Sequence, residues 1–122
     1  MAKILVIDDE KEFNEMLCLR LAKSGGHETL MALDGFEGLK LTQDKQPDLI
    51  ILDIMMPKMD GFEVFKKLKE NNLTSTIPVV ILTASANPDT AKNLVASGVN
   101  GYLTKPFEAK ELLALIEKVL KK

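Results

Sequence analysis

The chain has 122 residues, the length of one ordinary domain with enough material to bury a core. Its 16 basic and 18 acidic residues leave a net charge of −2, which argues against direct nucleic-acid binding, a class that carries a basic surplus. A single cysteine, Cys18, excludes an internal disulfide, and no run approaches membrane-spanning length. The opening Met1-Ala2-Lys3 is followed by only four apolar residues and then acids, so no signal peptide is expected.

Ile4-Leu5-Val6-Ile7 reads as a buried strand that stops at Asp8-Asp9-Glu10. Phe13, Met16, Leu17, Arg20 and Leu21 then recur at the spacing of one helix face, and Gly25-Gly26 ends that helix. Glu28 to Leu33 is a more polar strand, expected at a sheet edge. Gly35 to Asp44 reads as a helix with Phe36, Gly38 and Leu39 inward, closed by Pro47. The next strand, Leu49 to Leu52, ends on Asp53 and leads through Met55, Met56 and Pro57 to the turn Asp60-Gly61. Phe62, Phe65 and Leu68 mark a third helix that ends at Asn71-Asn72. Val79-Val80-Ile81-Leu82 is another buried strand, stopping at Thr83-Ala84-Ser85. Asn87-Pro88-Asp89 starts a short helix with Leu94 and Val95 on its apolar side, and Gly98 ends it. Tyr102-Leu103 is a short fifth strand that stops at Thr104-Lys105-Pro106. The last helix carries Leu112, Leu115, Ile116, Val119 and Leu120 on one face, with lysines at its end where the helix dipole favours cations.

Strand followed by helix, five times, predicts an α/β domain spanning residues 1–122, with a parallel sheet covered by helices on both faces. In a parallel sheet the carboxyl ends of all strands share one edge. Asp8, Asp9, Asp53, Thr83, Ser85 and Lys105 each follow a strand, so the alternation brings them to one cleft. Crowded carboxylates repel unless a cation sits among them, and hard oxygen donors suit Mg²⁺. Acids, a metal, a lysine and a hydroxyl together fit a phosphoryl group arriving at one carboxylate, with Asp53 as nucleophile.

These motifs resemble a response-regulator receiver domain, similar to the single-domain chemotaxis regulators. The resemblance rests on Asp8-Asp9, on Asp53 with Met56-Pro57 and Asp60-Gly61, on Thr83-Ala84, and on the run Tyr102 to Phe107. It covers the chain from Lys3 to the last helix. It implies a flavodoxin-like, doubly wound five-stranded sheet of order 2-1-3-4-5 with five helices. It implies Asp53 as phosphoacceptor, Asp9 as direct metal ligand with Asp8 beside it, and the backbone carbonyl of Met55 completing the shell around Mg²⁺ or Mn²⁺. Thr83, with Ala84 after it, and Lys105 match the phosphate-contacting positions, Tyr102 matches an aromatic rotamer switch, and Lys105-Pro106 is typically a cis bond. A sensor histidine kinase or a histidine phosphotransfer protein is the implied donor. The implied reader is an output domain or target protein on the face of the fourth helix, fifth strand and last helix. The implied setting is the cytoplasm, with no membrane partner expected.

Several residues carry plainer readings. Asp60 is assigned to turn and capping duty, Glu10 to favouring the first turn of its helix, His27 to a structural or solvent-facing place, Cys18 to packing, and the loop methionines to filling gaps. The resemblance places Met55 and Ser85 at two positions that in this family flank the path of attacking water, where acids or amides can orient it, so a long-lived aspartyl phosphate is expected. Asn100-Gly101 and Leu115 replace the paired acids and the arginine that build a salt-bridged dimer in many DNA-binding relatives, so the unphosphorylated chain is expected to be monomeric, and no output domain is expected within it. Two rival functions remain. A phosphohydrolase built on Asp53 needs a second acid two residues on, where this chain has Met55. A flavodoxin-type ligand module needs a hydroxyl- or glycine-rich loop after the first strand, where this chain has acids.

Overall fold

The central strands are uninterrupted apolar runs because each is covered on both faces. In the computed structural model, which describes residues 2–84, 92–93 and 96–121, the elements run β1 (Lys3–Ile7), α1 (Lys11–Gly25), β2 (Glu28–Ala32), α2 (Gly35–Lys45), β3 (Leu49–Asp53), α3 (Gly61–Glu70), β4 (Val79–Thr83), β5 (Gly101–Thr104) and α4 (Ala109–Leu120). The five strands form one sheet in the order β2-β1-β3-β4-β5. All neighbours are parallel, with Ile7 level with Ala32 and Leu52, Asp53 level with Leu82, and Thr83 level with Thr104. This is the flavodoxin-like order, and β2, the polar strand, lies at an edge as expected.

The period-two alternation of each strand divides the core into two layers. Leu5, Ile7, Ile50, Leu52, Val79 and Ile81 face α2 and α3, packing with Val64, Phe65 and Leu68. Ile4, Val6, Leu49, Ile51, Val80 and Leu82 face α1 and α4, packing with Leu17, Leu21, Leu112 and Ile116. Asp8 and Asp53 continue the parity of Val6 and Ile51, and Lys105 that of Leu103. The ladder does run past the strand ends, since Asp8 N donates to Ala32 O, Ile54 N to Leu82 O and Lys105 N to Thr83 O.

Expectations about the inward faces of three helices change. Met16 is 63% exposed and Arg20 is also exposed, because the buried stripe of α1 runs through Asn14, Leu17 and Leu21 instead. Phe36 is 60% exposed, while Gly35, Gly38 and Thr42 form the buried face of α2. A side chain at Gly38 would begin 2.5 Å from Ile7 Cδ1, so the helix lies against β1 where it has no side chain of its own. Phe62 is exposed at the start of α3, and Val64 takes its place inward. The helix expected fourth in the chain, with Asn87-Pro88-Asp89 at its start and Leu94 and Val95 on its apolar side, has those residues outside the described ones. Positions 92–93 and 96–97 are helical, and Gly98 follows at φ 89°.

Candidate phosphoryl-transfer site

The site is assembled at the carboxyl edge of the sheet from the turns after β1, β3, β4 and β5. Asp8 is completely buried. Its Oδ1 accepts the Glu10 backbone N–H at 2.9 Å, and its Oδ2 accepts from Lys105 Nζ at 3.1 Å. Asp53, 3% exposed, accepts the Met55 N–H on Oδ1 at 3.3 Å and presents Oδ2 to Lys105 Nζ at 3.8 Å. Asp9 completes a trio of carboxylates whose oxygens lie within 4.8 Å of one another. Such a set fits a hard divalent cation, because it offers only oxygen donors and two of its three acids are withdrawn from water.

The electrostatics follow from that crowding. Burial, and then the charge of Asp8, push the Asp53 carboxyl up to about 6, against the opposing pull of Lys105. Burial also raises Asp8, although the Glu10 N–H and Lys105 work against it. For Lys105 burial disfavours the charge, but the hydrogen bond to Asp8 and the charges of Asp53, Asp8 and Glu10 outweigh it and raise the group.

The scaffold beneath is specific. Asn14 on α1 is fully buried, and its side-chain amide donates to Val6 O, Asp8 O and Ala32 O at 3.0–3.2 Å. One residue thereby ties the acidic turn to the ends of β1 and β2. After β3, Ile54 O accepts from Met56 N and Gly61 N, folding the loop back on itself. A Cβ at Gly61 would stand 2.6 Å from both Asp53 O and Ile54 Cα, so the loop closes only over glycine. Asp60 caps α3 by accepting from Glu63 N at 2.9 Å, in keeping with its expected capping duty.

Of the residues singled out from the sequence, Asp8, Asp9, Asp53 and Lys105 come together, and Lys105-Pro106 is cis. Thr83 is buried at the end of β4, with its carbonyl bound to Lys105 N, and Ala84 is exposed beside it. Tyr102 is partly exposed on β5. Ser85 lies outside the described residues. Met56 and Met59 fill the core, but Met55 is 70% exposed, so the gap-filling reading fails for that one methionine. Glu10 does more than was expected of it, since its carboxylate stands 3.7 Å from Lys105 Nζ. Asn14 was missed, because a buried asparagine within a helical stripe reads as a solvent-facing position. His27 is structural, with Nδ1 accepting from Ala2 N.

The sequence profile of the response regulator receiver domain matches residues 4–117. The chain belongs to that family. The receiver is 38% identical over 122 residues to the DNA-binding dual master transcriptional regulator RpaA of Synechocystis, covering 100% of this chain and 50% of that protein. It is 37% identical over 119 residues to the phosphate regulon transcriptional regulatory protein PhoB of Pseudomonas aeruginosa, covering 98% and 52% respectively. It therefore spans about half the length of these curated relatives. Among solved structures, the receiver domain of the Francisella response regulator 1452 superposes with a TM-score of 0.91 at 34% identity, covering 99% of this chain and 98% of that one. The Vibrio cholerae chemotaxis protein CheY4 superposes at 0.89 with 34% identity, covering 98% of both chains. The receiver is thus a signalling switch of the two-component, phosphorylation-activated kind.

Proposed function

We propose that this receiver takes a phosphoryl group from the phosphohistidine of a sensor kinase or phosphotransfer protein onto Asp53. The observation that carries the reading is the meeting of Asp8, Asp53 and Lys105 within 3.1–3.8 Å, from three turns far apart in the chain. An Asp53 oxygen attacks phosphorus. The donor's P–N bond breaks as the O–P bond forms, and the departing imidazole takes up a proton. The raised basicity of Asp53 strengthens it as a nucleophile, while a value near 6 still leaves it ionised at neutral pH. Lys105 offsets charge on the incoming phosphoryl oxygens, and Thr83 offers a hydroxyl to one of them.

Asp8, Asp9, Asp53 and the backbone carbonyl of Met55 would hold a divalent cation, Mg²⁺ first and Mn²⁺ as a substitute. When bound, that ion supplies further charge compensation for the phosphoryl group. The reading of the chain as a switch rather than a turnover enzyme rests on Met55. Two residues after the nucleophile, it has no proton to give or take.

The readout is a change of partner binding on the surface around β5 and α4, with Tyr102 as the rotameric element. Residues 1–122 act as one receiver unit, in the cytoplasm, with no nucleic-acid or membrane contact of their own. DNA binding, named for the relative RpaA, would belong to a segment beyond the matched half. Asn100 is engaged within the fold, its Oδ1 accepting from Val79 N, and Leu115 packs where a side chain at Gly101 would stand. Asn100, Gly101 and Leu115 supply neither the paired acids nor the arginine of that salt-bridged dimer, which supports a monomeric unphosphorylated chain.

Incubation with Mg²⁺ and acetyl phosphate followed by intact mass measurement tests the proposal. A single phosphate adduct that disappears in Asp53→Asn supports it. Steady release of phosphate without an adduct would move the assignment to a hydrolase.

A further inference from the structure

The Lys105 ammonium has a contact that neither the acids nor the phosphoryl chemistry requires. On one side it meets carboxylates, Asp8 at 3.1 Å, Glu10 at 3.7 Å and Asp53 at 3.8 Å. It also lies 4.3 Å from the centroid of the Phe13 ring, with Nζ over the ring. Phe13 comes from the first turn of α1, the helix that begins at the acidic turn. Its ring is set in turn by Phe107, two residues beyond Lys105, which packs edge-to-face with centroids 6.3 Å apart and planes at 84°. Both rings belong to the α1 and α4 side of the core and are half-buried.

We propose that Phe13 is a positioning residue for Lys105, its ring face seating the ammonium so that it stays aimed at Asp8 and Asp53. The lysine stem has four rotatable bonds and offers its charge to acids of unequal burial. Asp8 is sealed in the fold, whereas the Glu10 side chain is 69% exposed. Left to carboxylates alone, the ammonium can follow Glu10 toward water. An aliphatic wall would not resist this, because it only desolvates the charge. An aromatic face attracts a cation through its quadrupole, and more strongly where water is excluded. Phe107 fixes the tilt of that face, and edge-to-face packing at this separation is the favoured arrangement for two rings. The pair therefore supplies a rigid third point of attachment for a flexible side chain, which is how a supporting shell holds a reactive group in place. The catalytic consequence rests on the reading of Lys105 as the phosphoryl group's cationic partner. The seat itself rests only on geometry.

The test uses the intact receiver and four substitutions: Phe13→Leu, Phe13→Tyr, Phe107→Leu and Lys105→Met, with Phe13→Leu also placed in the Lys105→Met background. Two quantities are read. The first is the NMR shift of the Lys105 Cε protons in the unphosphorylated protein, which the ring face moves upfield. The second is the rate of adduct formation with acetyl phosphate and Mg²⁺. Phe13→Leu is expected to return the Cε protons toward the free-lysine position and to slow phosphorylation by about fivefold to thirtyfold, the range a partly desolvated cation–π contact can supply. Phe13→Tyr keeps the ring and restores both, and Phe107→Leu falls between. In the Lys105→Met background, Phe13→Leu adds no further loss. A Cε shift that is the same in Phe13→Leu and the parent overturns the proposal. So does a Phe13→Leu loss of equal size with and without Lys105, which would make the ring a mere packing element. If Lys105→Met phosphorylates at the parent rate, the role of Lys105 in the reaction fails, and the Cε shift alone decides the seat.

Discussion

Lys105 Nζ donates a 3.1 Å hydrogen bond to Oδ2 of Asp8, joining residues 97 positions apart in sequence. The turn after β1 and the turn after β5 are thereby fastened across the carboxyl edge of the sheet. Asp8 is fully buried and Asp53 nearly so, and the described residues place one lysine within 4.0 Å of both. A buried ion pair of this kind contributes little net stability, but losing one member leaves the other uncompensated.

Lys105→Met should therefore destabilise the metal-free protein by about 2–4 kcal/mol at neutral pH. The loss should shrink on acidification toward pH 4, because Asp8 and Asp53 then take up protons and no longer need a cation. Urea denaturation at pH 4.5 and pH 7.5 in the presence of a chelator measures both. A loss of equal size at the two values would mean that lost packing, rather than lost charge compensation, carries the effect.

Asp53 gives the opposite sign. Its folded-state value near 6 lies above the ordinary carboxyl value of 3.8. The native state therefore holds a proton that the unfolded chain has already released between those values. Stability from this group is intact below about pH 4 and falls as pH rises to about 6, by roughly 2–3 kcal/mol in total. Asp53→Asn should remove that cost. The metal-free variant should be more stable than the parent at pH 7.5, with the two converging near pH 4. A divalent cation should then stabilise the parent and leave the variant little changed. An Asp53→Asn protein less stable than the parent at pH 7.5 would show that the carboxylate is better compensated than its neighbours suggest.

Gly61 carries the third expectation. A methyl at this position would meet main-chain atoms of Asp53 and Ile54 at 2.6 Å, and main chain cannot rotate away as a side chain can. Gly61→Ala should cost about 1–3 kcal/mol. It should also displace the loop that presents the Met55 N–H to Asp53, so phosphorylation by acetyl phosphate should slow even where the domain remains folded. Circular dichroism melts and adduct kinetics on the same preparation separate the two effects. An unaltered rate at lowered stability would confine Gly61 to packing.

The strands and the residues following them were legible because a parallel sheet uses one rule throughout. Strands that all run in one direction end at a common edge, so Asp8, Asp9, Asp53 and Lys105 could be placed together without knowing a single contact. The helices were less legible, because their inward faces are partly made of residues that do not look like core. Gly38 lies against Ile7 by having no side chain, Thr42 satisfies its hydroxyl on Gly38 O at 2.7 Å, and Asn14 satisfies its amide on three carbonyls. Phe36 and Met16 looked like core and were left outside by those choices. Glu10 was underread for a related reason. As a single acid it belongs to a helix start, and only the return of the chain at Lys105 gives it a partner.

Met55 carries the last expectation, because the structure separates its two ends. The backbone N–H is committed to Asp53 Oδ1, while the side chain is 70% exposed beside the site and is free to change without disturbing the core. A thioether accepts hydrogen bonds only weakly and cannot orient water for attack on an aspartyl phosphate. Met55→Asn adds an amide at that position and should shorten the lifetime of the phosphorylated form by up to about tenfold, a small share of what full acid–base assistance can supply. Folding stability should stay within about 0.5 kcal/mol of the parent, as expected for an exposed site. Decay of the adduct by intact mass, after the donor is removed, measures the lifetime directly. Unchanged decay would move control of the signal's duration away from Met55.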